Sequence, residues 1–159
     1  MLGKLKKWLS AESENPFPND FTNKILGYSK ELGWNVAINS ETQIVLSFDM
    51  GEGRDQIVMI FLAGEIAGQQ VIQISSPAAK LEDIEDKLNQ DFYNELLQLN
   101  AQASNYGWAI ETIEGEGDYL IASSDQLLST FDVGELRSSV AAVAYSADTM
   151  EAKFGLDKF

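Results

Sequence analysis

Apolar positions with helical spacing are densest near the middle of the chain, in Asp91–Ser104, DFYNELLQLNAQAS. On a helical wheel Leu99, Phe92, Ala103, Leu96, Tyr93, Leu97 and Ala101 fill one arc, which only Asn100 interrupts. Asn94, Glu95, Gln98 and Gln102 fill the narrow remainder. A helix covering one sheet needs an apolar stripe of roughly 100°. This arc is wider, so the stretch is predicted to bury two surfaces, its own sheet and a second partner. Strand-like sequence on both sides marks it as the expected pivot of the fold.

Upstream, Asn19 or Asp20 can cap a helix in which Phe21, Ile25, Tyr28 and Leu32 recur at helical spacing, and Gly33 suits its end. Trp34, Val36 and Ile38 then alternate with Asn35, Ala37 and Asn39, as a half-buried strand does. Asn39–Glu41 should turn the chain, and Ile44, Leu46 and Phe48 continue the alternation in a second strand. The glycines of Met50–Arg54, MGEGR, suit a hairpin. Gln56–Leu62, QIVMIFL, is apolar at both parities, which predicts a central strand covered on both sides, with Ile60 and Phe61 both buried. Gly64 and Gly68 bracket a loop, Val71–Ile74 reads as a shorter fourth strand, and Ser75–Ala79 is expected to break the sheet. Leu81–Lys87 suits a turn of helix.

Downstream of Gly107, Trp108–Ile113 and Asp118–Ala122 form a predicted hairpin around Glu114–Gly117, with Leu127–Thr130 as a further edge strand. Asp132 and Glu135 make a capping box. The last helix carries Val133, Leu136, Val140, Val143, Ala147, Met150 and Phe154 as one stripe, flanked by Ala141, Ala142 and Ala144. The predicted order is α-ββββ-α-ββ(β)-α. Short connections between strands imply an antiparallel sheet with helices packed on it, an α+β fold.

The chain has 159 residues, which suits one domain, expected over residues 19–159. Before it, Ser10–Pro18, SAESENPFP, reads as a linker in which Pro16 and Pro18 block helix continuation. Residues 1–9 read as a short amphipathic helix. Met1, Leu2, Leu5, Trp8 and Leu9 share one side and Lys4, Lys6 and Lys7 the other. Composition narrows the chemistry. The chain has neither cysteine nor histidine, and its formal charge is −14. Disulfides, thiolate metal sites, a cysteine nucleophile and the usual general base near neutral pH are therefore excluded. Beyond the first three lysines, eight basic residues face 25 acidic ones. Such a body repels nucleic-acid phosphate, so nucleic acid is not an expected partner. No apolar run is long enough to span a bilayer. The start, MLGKLKKWLS, lacks the apolar core of a signal peptide, so the expected location is cytoplasmic.

No motif carries catalysis. Asp49, Glu52 and Asp55 cluster around glycines in a way calcium favours, but the EF-hand pattern is missing and hairpin turns use the same residues. Gly115-Glu116-Gly117 joins two strands rather than opening a helix, so it is not read as a phosphate cradle. No serine lies in a G-x-S-x-G elbow. Neither metal nor cofactor is expected. Asn100, the polar residue within the apolar arc, has two readings. Its amide either bonds the turn before Gly107 or acts as a specificity device at an interface.

Leu96-Leu97-x-x-Asn100 ahead of Tyr106-Gly107 resembles YbjN-like proteins, described as bacterial sensory-transduction regulators. So do the following hairpin, Phe131-Asp132 with Glu135-Leu136, and Ala147-Asp148. Upstream, Gly33, the hairpin with Arg54, and Ser75-Ser76 fit as well. The resemblance spans roughly residues 20–155. It implies the type III secretion chaperone fold, commonly paired as homodimers, and protein binding without cofactor or catalytic residues.

The expected function is a non-enzymatic protein-binding module with a chaperone-like or regulatory role, acting as a homodimer. Its expected partner or dimer face is Phe92, Tyr93, Leu96, Leu97 and Asn100. The alternative is a peripheral membrane-surface adaptor using Leu2, Lys4, Leu5, Lys7, Trp8 and Leu9. A third reading is a hydrolase with a carboxylate site, because paired carboxylates are spaced in space rather than in sequence.

Overall fold

The computed structural model describes residues 15–156 and 158–159. The expected amphipathic segment 1–9, with its candidate face Leu2, Lys4, Leu5, Lys7, Trp8 and Leu9, lies outside the described residues, as does the linker up to residue 14. Helix α1 (Asp20–Leu32) leads into strands β1 (Val36–Ser40), β2 (Gln43–Gly51), β3 (Arg54–Ile66) and β4 (Gln69–Lys80). A 3-10 turn (Leu81–Lys87) and helix α2 (Gln90–Gln102) precede β5 (Gly107–Ile113), β6 (Gly117–Leu127) and the long helix α3 (Val133–Phe154). The strands form a single six-stranded sheet in the order β1-β2-β3-β4-β6-β5, antiparallel at every pairing. This is the α+β class and order that the sequence pattern predicts.

The helix ends follow their cap chemistry. Asn19 Oδ1 accepts the Thr22 N–H at 2.9 Å, and Thr22 Oγ1 accepts the Asn19 N–H at 3.1 Å. Asp132 and Glu135 bond reciprocally at 2.8 and 2.9 Å, so the expected capping box is present. Gly33 and Gly155 end α1 and α3 at φ 69° and 72°, a left-handed conformation that costs a residue with Cβ but not glycine.

The pivot is α3, not α2. Helix α3 lies across β3, β4 and β6, and buries Leu136, Val140, Val143, Ala144, Ala147 and Met150. Facing it are Ile44, Leu46, Val58, Ile60, Ile72, Ile74, Leu120 and Ala122 of the sheet, with Phe21 and Ile25 of α1 at the side. Small residues at 144 and 147 let the helix come close to the strands. By contrast α2 rests at the edge against β5 and buries only Phe92 and Leu96. Width of an apolar arc measures how much surface a helix could bury, not where the chain places it. Arg54 Nη2 meets Asp148 Oδ2 at 2.8 Å, which ties the β2–β3 hairpin to α3 through a carboxylate that is almost fully buried.

Three strand expectations need correction. Strand β3 is covered on one side only. Gln56, Val58 and Ile60 are buried, whereas Ile57, Met59 and Phe61 are half-buried, because none of the described helices covers the second face. Ser75–Ala79 does not break the sheet but continues β4 to Lys80. Pro77 is tolerated because the β3–β4 ladder has ended there. Ser76 Oγ donates to Ile57 O at 2.7 Å, and Gln56 Nε2 donates to Pro77 O at 2.8 Å, so side chains replace the ladder bonds. Leu127–Thr130 is not a separate strand. Leu127 ends β6, and the Phe131 N–H folds back onto Leu127 O at 3.0 Å. The two parities of β3 should therefore differ in urea unfolding. Ile60→Ala is expected to cost about 2–5 kcal/mol, as core truncations do, and Phe61→Ala distinctly less. Equal losses would require a covered second face.

Candidate protein-binding surfaces

Helix α2 begins where Asn89 Oδ1 accepts the Phe92 N–H at 3.0 Å. Its expected interface residues divide between two directions. Phe92 and Leu96 point into the domain, where the Phe92 ring lies 5.9 Å from that of Phe154. Tyr93 and Leu97 point outward, and Leu97 is 66% exposed. Asn100 turns its amide to β5. Its Oδ1 accepts the Trp108 N–H at 2.6 Å and its Nδ2 donates to Trp108 O at 3.0 Å. The amide thus bonds strand β5 just after Gly107, and both polar ends are engaged within the chain. Ile110 of β5, 48% exposed, adds a third apolar side chain to this α2–β5 edge.

The second surface is the sheet face that no described helix covers. Side chains alternate along a strand, and the registers place Gln43, Val45, Ile57, Met59, Phe61, Gln73, Ser123, Asp125, Glu111 and Ile113 on it. Flat, β2 and β5 would stand four strand spacings apart, roughly 19 Å. Yet Gln43, Met59, Phe61, Glu111 and Ile113 line one open cleft of about 390 Å³. The sheet therefore curls toward this face and makes it concave. Glu111 Oε2 is buried there without a hydrogen-bond partner, and desolvation pushes its carboxyl above the usual carboxylate range. Desolvation also raises Asp125. Glu111 was not legible as a candidate from local pattern alone. Its one signal is a carboxylate at the same parity as Ala109 and Ile113 in a strand.

A second hollow, about 480 Å³, lies between the start of α1 and the β3–β4 turn, among Asp20, Asn23, Lys24, Gln69, Gln70 and Ser129. It is a polar notch in which Lys24 Nζ already bonds Leu128 O at 2.6 Å. The acidic hairpin shows turn chemistry, with Asp49 Oδ1 accepting the Gly51 N–H at 2.7 Å. Among the described residues no group of three or more carboxylates is placed to hold a metal ion. No described helix is long and apolar enough to cross a membrane.

The fold has solved counterparts. No protein-family model matches the chain, and no curated protein does. Among solved structures, the chain is similar to the HopA1–SchA chaperone–effector complex, with a TM-score of 0.57 at 10% identity over 84% of this chain and 94% of that one. It is similar to the ExsC–ExsE complex, with a TM-score of 0.54 at 12% identity over 83% and 91%. It is also similar to YbjN from E. coli, described as a candidate transcription regulator, with a TM-score of 0.52 at 10% identity over 88% and 93%. The chain has a YbjN-like, type III secretion chaperone-like fold. Residues that carry the sequence resemblance meet in space. Arg54 pairs with Asp148, Asn100 holds the strand that follows Gly107, and Asp132 caps with Glu135.

Two substitutions test these surfaces. Asn100→Ala orphans both backbone groups of Trp108 on that side. It should cost about 1–3 kcal/mol in urea unfolding, the range for a buried polar group left unpaired; a neutral effect would mean that water replaces the amide freely. Glu111→Gln reads the cleft electrostatics. The folded pKa lies above the unfolded value, so the native state holds this proton more tightly. Stability from Glu111 is fully present below the unfolded pKa and is lost as pH rises through the folded pKa. The Gln variant should therefore show a higher urea midpoint than the parent near neutral pH. The difference should vanish in acid, below the ordinary carboxylate range. A variant that is weaker near neutral pH would show that the ionised carboxylate is stabilised in the fold.

Proposed function

We propose that this chain is a cytoplasmic, non-enzymatic protein-binding module with a chaperone-like or regulatory role, working as a homodimer. The observation that carries the reading is the outer face of α2. Leu97 and Tyr93 stand exposed on a helix at the edge of the sheet, beside exposed Ile110, while Phe92, Leu96 and Asn100 fix that helix to its own domain. Apolar side chains of this size, grouped at one edge, mark contact surfaces. Two of the similar folds were solved as complexes with a partner, which supports protein binding as the role of this architecture.

In the dimer a two-fold axis brings the outer faces of two α2 helices together, the commonest symmetry for paired chains. Lys153 and Glu95, paired at 2.5 Å, form part of the polar rim. Light scattering over a micromolar concentration series should report twice the protomer mass. Leu97→Glu, at a position that contributes little to the core, should return it to the protomer mass without loss of fold by circular dichroism. A strict monomer at all concentrations would overturn the dimer. A dimer that survives Leu97→Glu would move the interface elsewhere. Affinity capture from the native host should retain a defined protein in stoichiometric amount.

A further inference from the structure

Helix α2 alone is too small to hold two copies together. Its 13 residues make a rod of about 20 Å whose outward face is about 10 Å wide, a footprint of about 200 Å². Even doubled by the relief of its side chains, that falls short of the roughly 800 Å² each partner of a stable pair contributes. We infer that the contact face for a second copy continues from α2 across the outer ridge of α3, with Tyr145 as its apolar anchor beside Leu97. The inference rests on the homodimer proposed above and states where its surface lies.

Three further observations carry it. The first is continuity. Helices α2 and α3 run antiparallel, side by side. Near the start of α2 and the end of α3, the Phe92 and Phe154 rings lie 5.9 Å apart and Glu95 Oε1 meets Lys153 Nζ at 2.5 Å. Past the end of α2, Asn105 Nδ2 donates to Ser138 O at 3.4 Å, near the start of α3. The outward sides of the two helices therefore form one surface.

The second is exposure. Leu97 at 66% and Tyr145 at 68% are the most exposed large apolar side chains among the described residues, and they stand on these two neighbouring helices. Tyrosine is enriched among the side chains that carry the energy of protein contacts.

The third is charge. A two-fold contact sets each group near the axis against its own copy, so a charge there meets its like. On a chain of net charge −14, few surfaces suit that position. The outward ridge of α3, Ser138, Ala141, Tyr145, Thr149 and Ala152, carries no charge, because the acids of that stretch, Asp148 and Glu151, are buried. The outward side of α2 from Leu97 to Gln102 carries none either. Glu95 and Lys153 stand at one end of the patch and neutralise each other. A centre depleted of charge inside a polar rim is the layout of protein contacts. Such a patch offers nothing to attract a partner of opposite charge, and it meets a second copy of itself without repulsion. The two-fold axis then stands over the seam between the helices, and α2 of each copy lies on α3 of the other.

Sedimentation equilibrium on the full chain tests this, with Tyr145→Glu, Tyr145→Arg and Leu97→Glu compared at one ionic strength. Both Tyr145 variants should weaken pairing at least tenfold and keep the circular dichroism of the parent, since this side chain lies outside the core. The Arg variant separates contact from net charge. If repulsion between acidic chains were the whole effect, Tyr145→Arg would tighten pairing or leave it unchanged, and the inference would fall. A dimer intact in both Tyr145 variants would also overturn it. If Leu97→Glu is then monomeric, the homodimer on α2 still stands without α3. A parent that is monomeric at every concentration would overturn the homodimer and this face with it. Spin labels give a direct reading, on a chain without native cysteine. Labels on Thr149→Cys should broaden each other's spectra across the pair, and labels on Ile66→Cys, at the β3–β4 turn, should not. The reverse pattern would move the contact to that turn and overturn the inference.

Discussion

One helix covering one face is the constraint on which the fold depends. A six-stranded sheet presents two apolar-capable faces, and the described helices cover only one. Helix α3 runs over the middle strands and brings Leu136, Val140, Val143 and Ala147 onto Ile60, Ile74, Leu120 and their neighbours. Helices α1 and α2 finish the layer at its sides. The ion pair between Arg54 and Asp148 fixes how the β2–β3 hairpin meets α3. Burial of the Asp148 carboxylate is costly, and removal of the half-exposed Arg54 that pairs with it is costlier still, so the pair specifies geometry more than it adds stability. The uncovered face responds by curling. Val45, Val71 and Ile121 on that face are almost completely buried although none of the described helices covers it.

Much of this was legible in the sequence, and the gaps have physical causes. Caps were readable because a local code writes them: Asn19 with Thr22, Asp132 with Glu135, and glycine at 33 and 155. The stripe on α3 was readable because its three-four spacing admits a single face. The QIVMIFL strand misled because apolar residues at both parities signal two partly dry faces, and a concave face is dry without a cover. The Ser75–Ala79 run misled because proline normally ends a strand. Here the partner ladder stops first, and Gln56 with Ser76 takes over its bonds. Those bonds join residues some twenty positions apart, so no local window contains them.

The candidate surfaces were legible to different depths. Helix α2 stood out from its pattern, but the pattern could not say which side would face the sheet. Phe92 and Leu96 went inward, and Tyr93 and Leu97 stayed outside. The cleft was invisible, because Gln43, Phe61 and Glu111 come from strands that meet only through curvature. Its chemistry follows from that meeting. A carboxylate that would be ordinary on a fully solvated strand loses part of its solvent at this cleft, and its carboxyl is raised.

Asn100 carries a consequence for how this protein can associate. The outer rim of a sheet is a template onto which any extended chain can add by backbone pairing. At Trp108 that template is already occupied. The Asn100 amide offers an acceptor and a donor at the spacing of a peptide group and engages both backbone groups that an incoming strand would need. A side chain from the protein's own helix thus stands in for a neighbouring strand and terminates β5 at that point. A strand added to this edge would have to begin beyond Trp108, so the length of β5 open to backbone pairing is shorter than the strand itself.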